Sequence, residues 1–377
     1  MCGIVGFVDY SCDVLKRGVM LNEMMNKLSS RGPDKAGSWV SHTVALGHRR
    51  LIVVDPVGGS QPMTISIAGN SYTLVYNGEI YNTITLRREL EGLGHTFRTH
   101  SDTEVLLISY IEWGANAVEK LNGIFAFAVW EENAKRLFLA RDRMGVKPLF
   151  YAVINNTLIF ASEIKAMLAH EKISSDVNEE GLCEVFALAP ARSEDKTAFK
   201  DIKSLRPAQC MMFSNLGTYI SQYWQFESKP HTDSEAQTIE KLTYLVEDAV
   251  NKQMVADVPV CTFLSGGLDS STLSAYASKF YSIRNKPLST FSIDYEDNDK
   301  YFKKSLFQPN SDSDYIDKMS AFLGSDHTNV VLNTDMLINY LNPALIARDL
   351  PGMADVDSSL LYFCETVKKT HSVALSG

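Results

Sequence analysis

Apolar runs separated by short polar turns dominate the first 225 or so residues. Runs at residues 125–130 and 137–140 flank a polar turn, which is typical of a β-hairpin. Runs at residues 149–154 and 157–161 flank Asn155, a residue type that tolerates positive φ at a tight turn. The pattern therefore predicts two β-hairpins in this part of the chain.

Helical patterns lie between these strands. Asn82 is placed to cap a helix over residues 84–93. Ser101 and Glu104 have capping-box spacing ahead of an apolar stretch at residues 105–113, which predicts a second helix. Strand pairs interleaved with helices predict a sheet-on-sheet core flanked by helices.

The pattern changes after a polar segment at residues 227–236, which carries Pro230 and lacks periodicity. We interpret this segment as a linker between domains at residues 1–226 and 237–377. Beyond it, strands alternate with helical patterns, which predicts a doubly wound parallel α/β sheet. The predicted strands of this second domain are residues 258–264, 288–294, 329–332 and 372–375.

Composition narrows the class of protein. The 377 residues are 45% hydrophobic and 21% charged, with a formal net charge of −9, which disfavours nucleic acid as a general partner. The apolar runs are shorter than a membrane span, and the amino end lacks the pattern of a signal peptide. The six cysteines form no CxxC pair, and the eight histidines show no metal-ligand spacing. We expect a cytoplasmic protein with no metal site and no membrane partner.

Cys2 directly follows the initiator methionine. Removal of Met1 would leave a thiol and a free α-amine on one residue. An α-amine titrates near pH 7.7–8 in model peptides, so it could act as general base for its own thiol. For Cys2 considered alone, a chance cysteine at position 2 is the simpler interpretation.

Several motifs favour the interpretation of Cys2 as a nucleophile, because together they resemble the class II glutamine amidotransferases. The resemblance implies an N-terminal nucleophile hydrolase domain of the α+β class, an αββα sandwich, that hydrolyses glutamine. The motifs are CGIVGF at residues 2–7, RGPD at 31–34, GHRRL at 47–51, NGE at 77–79, RDRMGVKPL at 141–149 and ASEIK at 161–165.

The resemblance also implies a role for each site residue. Cys2 would be the nucleophile, and the Asn77 amide and the Gly78 N–H would stabilise the oxyanion. Arg50 would bind the α-carboxylate of glutamine, and Glu79 and Asp102 would bind its α-ammonium. The implied glutamine-binding residues are Arg50, Leu51, Ile52, Val53, Val54, Asn77, Gly78, Glu79 and Asp102.

Each assignment has an alternative. Asn-Gly is a common hairpin turn, so Asn77 with Gly78 would ordinarily be read as one. Arg49 is the nearest rival to Arg50. Asp102 could be a first-turn charge that suits a helix dipole. His100 stands where the family usually has a small residue.

The sequence SGGLDSS at residues 265–271 lies between a predicted buried strand and an amphipathic helix. Glycines and a helix N-terminus suit an anion, and the motif resembles the pyrophosphate loop of ATP pyrophosphatases. A plain strand–turn–helix connection capped by Ser or Asp is the alternative. Asp269 would help hold Mg²⁺ or pyrophosphate. The implied ATP-binding residues are Phe263, Leu264, Ser265, Gly266, Gly267, Leu268, Asp269, Ser270, Ile293, Ser376 and Gly377.

A class II glutaminase joined to this loop resembles the glutamine-hydrolysing asparagine synthetases. The resemblance implies synthesis of asparagine from aspartate and Mg-ATP, through an aspartyl-adenylate, with ammonia from glutamine and with a homodimer as the assembly. The alternatives are amidation of another carboxylate, or a subunit with glutaminase activity alone. Residues 355–359 would line the synthetase cleft or simply begin a helix. The family continues past the strand at residues 372–375, so we expect a fragment or a shortened protein.

Overall fold

The computed structural model describes residues 1–191, 193–303, 306 and 312–377. The chain forms two compact units. The first comprises Met1–Glu227 with Asp349–Pro351, and the second comprises Ser228–Arg348 with Gly352–Gly377. Within the described ranges, no helix combines the length and apolar character that crossing a membrane requires.

The first unit is built on two six-stranded sheets, with strand orders β10-β8-β9-β1-β3-β2 and β12-β11-β7-β6-β5-β4. Every strand pair in both sheets is antiparallel. The strands are β1 Gly3–Asp9, β2 Lys35–Val40, β3 Val44–Arg50, β4 Met63–Ile67, β5 Asn70–Ile80, β6 Gly123–Glu131, β7 Arg136–Arg141, β8 Phe150–Ile154, β9 Thr157–Ala161, β10 Lys203–Ser204, β11 Gln209–Ser214 and β12 Gly217–Gln222.

Helices cover the outer faces of both sheets. Besides two short 3₁₀ segments at Val14–Arg17 and Gly114–Asn116, the α-helices are α1 Gly18–Asn26, α2 Thr83–Gly92, α3 Asp102–Trp113, α4 Ala117–Lys120, α5 Ile164–Met167 and α6 Glu179–Phe186.

Side-chain alternation along β1 explains the layering. Ile4 and Val8 point into the core between the two sheets, whereas Val5 and Phe7 point outwards to a second core shared with α1 and α5. A third core joins the second sheet to α2 and α3. Successive side chains of a strand face opposite sides, so a strand in this position is apolar throughout. The predicted αββα sandwich is confirmed.

Both predicted hairpins are present, as β6–β7 and β8–β9, and Asn155 has a φ of 53°. The capping predictions were partly wrong. Asn82 precedes α2, but its side chain bonds Asn122 N and Lys120 O instead of capping. Ser101 caps α3 through Thr103 N, but Glu104 bonds the backbone N–H groups of residues 98 and 99, so the capping box does not close.

The second unit alternates helices and strands. The helix α7 begins at Glu235, inside the segment interpreted as linker, and is capped by Ser234. The elements are α7 Glu235–Gln253, β13 Val260–Phe263, α8 Leu268–Ser282, β14 Ser289–Tyr295, α9 Asn298–Tyr301, α10 Ser313–Leu323, β15 Asp326–Leu332, α11 Thr334–Arg348, α12 Ala354–Lys368 and β16 Val373–Leu375.

The four strands of this unit are parallel, in the order β15-β14-β13-β16. One face packs on α7 and α8 through Val250 and Ala277, and the other packs on α12 through Phe363. The predicted doubly wound sheet is therefore confirmed. Because β14 and β15 continue to one side of β13 while β16 lies on the other, the chain switches direction beside β13. Ligands of open α/β sheets bind at such switch points, beyond the carboxyl ends of the strands.

Candidate functional site

Cys2 lies immediately before β1, at the edge of a narrow cleft. Its Sγ lies 3.4 Å from the N–H and 3.5 Å from the carbonyl of Leu51. Burial raises the pKa of the Cys2 thiol, so a neighbouring base is needed to form the thiolate near neutral pH. The residues lining the cleft are Cys2, Arg50, Leu51, Val53, Val54, Gly59, Gln61, Tyr76, Gly78, Glu79, Ser101, Asp102 and Thr103.

Two side chains hold the backbone of Cys2. Arg31 Nε donates to Cys2 O at 2.6 Å. With its amide oriented to satisfy both neighbours, Asn77 donates to the same carbonyl at 3.1 Å and accepts from Arg31 Nη2 at 3.3 Å. Asn77 is 1% exposed, so its amide is set in place by burial as well as by these bonds.

Asn77 and Gly78 lie inside β5, opposite Ala126 and Phe125 of β6. The alternative that they form a hairpin turn is therefore wrong. A side chain at Gly78 would collide with the carbonyl oxygen of Ile124, so only glycine fits.

The Gly78 N–H points to the open edge of β5, because β4 pairs with β5 only as far as Leu74. Alternate N–H groups of a strand face the same edge. On this edge, Tyr76 N donates to Gln61 Oε1 at 2.6 Å and Ile80 N donates to Asp102 Oδ2 at 3.2 Å. The Gly78 N–H lies between these two and faces the cleft.

Two carboxyl groups that line the cleft, those of Glu79 and Asp102, lie near each other. Tyr76 Oη donates to Asp102 Oδ2 at 2.8 Å. Burial raises the pKa of Asp102, and burial together with the nearby Asp102 charge raises the pKa of Glu79 to about 8. Two buried carboxylates beside one another repel, so an arriving cation would be attracted to this pair.

Glu79→Gln is expected to stabilise the fold by on the order of 2 kcal/mol near pH 8.5, with a smaller effect near pH 5. With a folded-state pKa of about 8, against an ordinary value of 4.5, folded Glu79 keeps a proton that the unfolded chain has lost between these pH values. Stability therefore falls as pH rises through this window, and a neutral amide removes that fall. Urea unfolding of variant and wild type at pH 5 and pH 8.5 measures this difference in the free energy of unfolding. Equal pH dependence in variant and wild type would contradict the expectation.

The two adjacent arginines of β3 point to different places. Arg50 is 5% exposed and lines the cleft, where its guanidinium donates to the carbonyl oxygens of Val54, Asp55 and Pro56 at 2.6–3.2 Å. Arg49 donates to Met25 O and Asn26 Oδ1 at 3.1 Å, at the end of α1. Arg50 is therefore the arginine that reaches the cleft, and it also orders the loop that follows it.

Most of the predicted glutamine-binding residues line the cleft, with two exceptions. Ile52 does not line it, and its N–H donates to Asp34 Oδ2 at 2.7 Å. Asn77 contributes from beneath, through Cys2 O. His100 is exposed, and its N–H donates to Asp55 Oδ2 at 3.2 Å, which ties the loop after β3 to the entrance of α3.

Sequence reasoning missed several residues around the cleft, and Gly59, Ser101 and Thr103, which also line it, are among them. Gln61 and Tyr76 line it, Arg31 holds Cys2 O, and Lys147 lies 7% exposed with its Nζ 3.2 Å from Met1 Sδ. The signal for Arg31 and Lys147 was present, because both lie in motifs that carried the resemblance. Gln61 and Tyr76 lie outside those motifs.

In the second unit, the loop after β13 is closed by its own serines. Ser270 Oγ accepts from Ser265 N at 3.2 Å and lies 3.0 Å from Ser265 Oγ. Gly266 has a φ of 77°, and a side chain there would approach Asp312 O at 2.9 Å. The N-cap of α8 is Gly267, so the alternative of a connection capped by Ser or Asp is wrong. A helix start without a capping side chain leaves its first N–H groups available to an anion.

The other predicted ATP-binding residues differ in their burial and in their contacts around this loop. The strand end places Gly377 against the loop, since a side chain on it would lie 3.0 Å from Ser270 N. Leu264 is buried, and its N–H donates to Phe291 O at 2.8 Å. The ring of Phe263 packs on Phe363 of α12, 4.8 Å between centroids. Ser376 is exposed, the Leu268 side chain is 83% exposed, and Ile293 is half-buried on β14.

One acidic residue near the start of α12 forms an ion pair. Asp355 and Asp357 lie in its first turn, and Asp357 pairs with Arg348. Residues 355–359 therefore begin a helix, as the simpler alternative predicts. In the part of the chain that the structure describes, no three His, Cys, Asp or Glu side chains are grouped to hold a metal ion.

The sandwich, with a cysteine at the start of its first strand beside a cleft, defines the class of protein. Residues 1–224 match the family described as glutamine amidotransferase domain, and residues 241–377 match the asparagine synthase family. The chain belongs to the glutamine amidotransferase family, and its first domain has the N-terminal nucleophile fold.

Two relatives from Bacillus subtilis are similar over the whole of this chain. Asparagine synthetase [glutamine-hydrolyzing] 3 is 51% identical and asparagine synthetase [glutamine-hydrolyzing] 1 is 34% identical. The chain spans 62% and 57% of their lengths. Among solved structures, glutamine phosphoribosylpyrophosphate amidotransferase from B. subtilis has a TM-score of 0.47 at 14% identity, over 89% of this chain and 91% of that chain.

Proposed function

We propose that the chain hydrolyses glutamine at Cys2 and uses the ammonia to convert aspartate to asparagine at the expense of ATP, as an asparagine synthase (glutamine-hydrolysing). The observation that carries the proposal is the meeting of Cys2, the inward Gly78 N–H, Arg50 and the Glu79–Asp102 pair in one cleft. The cleft thereby contains a nucleophile and an oxyanion donor. It also contains a positive group for the α-carboxylate of an amino acid and acidic groups for its α-ammonium.

The glutaminase half-reaction follows from this set. Once Met1 is removed, the Cys2 α-amine takes the thiol proton and Sγ attacks the side-chain amide carbon of glutamine. Gly78 N–H and the Asn77 amide stabilise the oxyanion, and the amine returns the proton to the leaving nitrogen as the C–N bond breaks. Water then hydrolyses the thioester, giving glutamate and restoring the thiol.

Substrate orientation is assigned to the charged residues of the cleft. Arg50 binds the glutamine α-carboxylate, and Glu79 with Asp102 binds the α-ammonium. The buried carboxyl pair supports this assignment. A cationic ligand stabilises the ionised form of Glu79 and so lowers its raised pKa towards the ordinary value. Leu51, Val53 and Val54 surround the aliphatic part of the substrate.

The synthetase half-reaction is assigned to the loop after β13. Mg-ATP is a substrate here, with its pyrophosphate at the start of α8 and with Asp269 on the metal or phosphates. Mg²⁺ commonly takes one or two carboxylates together with phosphate oxygens, which fits a single acidic residue. The aspartate carboxylate attacks the α-phosphorus and releases pyrophosphate. Ammonia then attacks the acyl carbon and releases AMP.

The deciding experiment incubates the 377-residue chain with glutamine, aspartate and Mg-ATP and follows glutamate and AMP together. Glutamate with aspartate-dependent AMP supports the whole proposal. Glutamate without AMP favours a glutaminase alone, and AMP that depends on another acid favours a different acceptor. If a chain with a free Cys2 amine forms no glutamate, the proposal is overturned.

The domain limits 226 and 237, the cytoplasmic location and the homodimer stay predictions.

Asp269→Ala is expected to weaken ATP binding about tenfold and to leave glutamine hydrolysis unchanged, because its carboxylate lies at the phosphate end of α8. Calorimetry with Mg-ATP measures the first effect and glutamate release the second. Asp248→Ala on α7 is a matched control outside the loop. Unchanged ATP affinity in the Asp269 variant would count against the phosphate assignment.

A further inference from the structure

Lys147 is a buried lysine whose ammonium group bonds Met1, the residue whose removal the proposed function requires. Burial and the nearby Arg31 charge lower the pKa of Lys147. Its side chain is 7% exposed, and its Nζ donates to Met1 Sδ at 3.2 Å. The same sulfur lies 4.0 Å from Arg31 Nη2. Met1 Sδ therefore lies between the Lys147 ammonium and the Arg31 guanidinium.

The backbone of Lys147 is fixed by its loop. Its backbone N–H donates to Asp142 Oδ2 at 2.9 Å, and its carbonyl accepts from Arg141 Nε at 2.8 Å. Arg31 is held independently, by Cys2 O at 2.6 Å and by Glu163 at 3.1 Å. The Lys147 backbone and the Arg31 guanidinium are therefore anchored by residues other than Met1, and both side chains lie close to Cys2.

We propose that Lys147 is a positioning residue that acts on the Cys2 α-amine: with Arg31, its positive charge disfavours the ammonium form and keeps the amine available as a base at neutral pH. A nearby like charge lowers the pKa of an amine, and a buried site with a low dielectric strengthens that effect. This inference rests on the proposed glutaminase function.

Other charges facing the amine do not cancel this effect. Arg50 on β3 adds a third cation near the thiol. The opposing anions are Glu79 on β5, Asp102 at the start of α3, Asp142 in the Lys147 loop and Glu163 at the start of α5, which pairs with Arg31 at 3.1 Å and offsets part of its charge. Glu79 has its pKa raised to about 8 and so is largely neutral at pH 7. The Asp142 carboxylate accepts from the backbone N–H groups of Met144, Val146 and Lys147, and these dipoles offset part of its charge.

The test compares the pH dependence of kcat/KM for glutamine in Lys147→Met, Lys147→Arg and wild type. Loss of the charge should move the acidic limb up by about one pH unit, whereas arginine should keep it within 0.3 unit of wild type. Lys135→Met makes the same change of formal charge at an exposed turn and should leave the limb unmoved. An unmoved limb in Lys147→Met would overturn the inference, as would an equal shift in both Lys147 variants.

A second measurement keeps the test independent of activity. With ¹⁵N-cysteine incorporated, the α-amine of mature Cys2 gives an NMR signal distinct from the amides of the other cysteines, and its titration reports the pKa directly. The pKa should lie below the ordinary 7.7–8 in wild type and rise by about one unit in Lys147→Met. An unchanged pKa overturns the inference even if that variant is inactive. Glutamine hydrolysis that survives Cys2→Ala would instead overturn the proposed function.

Discussion

Replacing Cys2 with alanine is expected to lower the rate of glutamine hydrolysis by about 10⁴-fold or more while leaving the fold intact. The thiol is the only proposed nucleophile, and removing a nucleophile leaves only the residual catalysis of the oxyanion donors and of binding. Cys2 contributes no side chain to the three cores of the first unit, so its truncation costs little stability. Glutamate release and a thermal unfolding curve on the same sample measure both effects.

A blocked amino terminus tests the role of the α-amine separately from that of the thiol. An uncleaved N-terminal tag keeps the thiol but acylates the α-amine, so hydrolysis should be lost to a similar extent. Cys183→Ala is the matched control, because Cys183 is an exposed thiol on α6. Full activity of the tagged protein would refute the role of the amine, and full activity of Cys2→Ala would refute the nucleophile.

Asn77→Ala is expected to lower kcat for glutamine hydrolysis by about 10²–10³-fold with little change in KM. The lost amide is proposed to donate to the oxyanion, a charge that develops only in the transition state. In the structure the same amide donates to Cys2 O at 3.1 Å, so the variant also loosens the nucleophile. Steady-state kinetics at saturating and limiting glutamine separate kcat from KM.

The control for this variant lies on the same strand. Asn70→Ala changes an exposed asparagine at the start of β5 and should leave both constants unchanged. A raised KM with unchanged kcat in Asn77→Ala would mean that the amide binds ground-state glutamine, and the oxyanion assignment would then be wrong.

Local patterns predicted much of the fold. The β6–β7 and β8–β9 hairpins follow from apolar runs around short turns, and the doubly wound sheet follows from alternation of strands and helices. The pattern did not show which of the two sheets of the first unit each strand joins. That assignment depends on pairing between distant residues, such as Val5 with Gly47 and Ala161.

The candidate site was partly predictable because its motifs are local. Cys2, Arg50 and Glu79 were named from motifs, Asp102 was named from the family resemblance, and all four line one cleft. Ile52 was named with them and points elsewhere, because adjacent residues of a segment face different directions. Gln61 and Tyr76 were missed because nothing in their local sequence marks them.

The sequence by itself indicated the proposed reacting groups and determined the alternation that builds a four-layer sandwich and a parallel sheet. Only the tertiary structure decided what surrounds those groups. Asn77 and Gly78 form a strand and not a turn because pairing with β6 outweighs local turn preference. The Gly78 N–H faces the cleft because β4 ends at Leu74. Lys147 and Arg31 meet beside Cys2 because burial and hydrogen bonds bring together residues far apart in the chain, and electrostatic effects depend on distance in space.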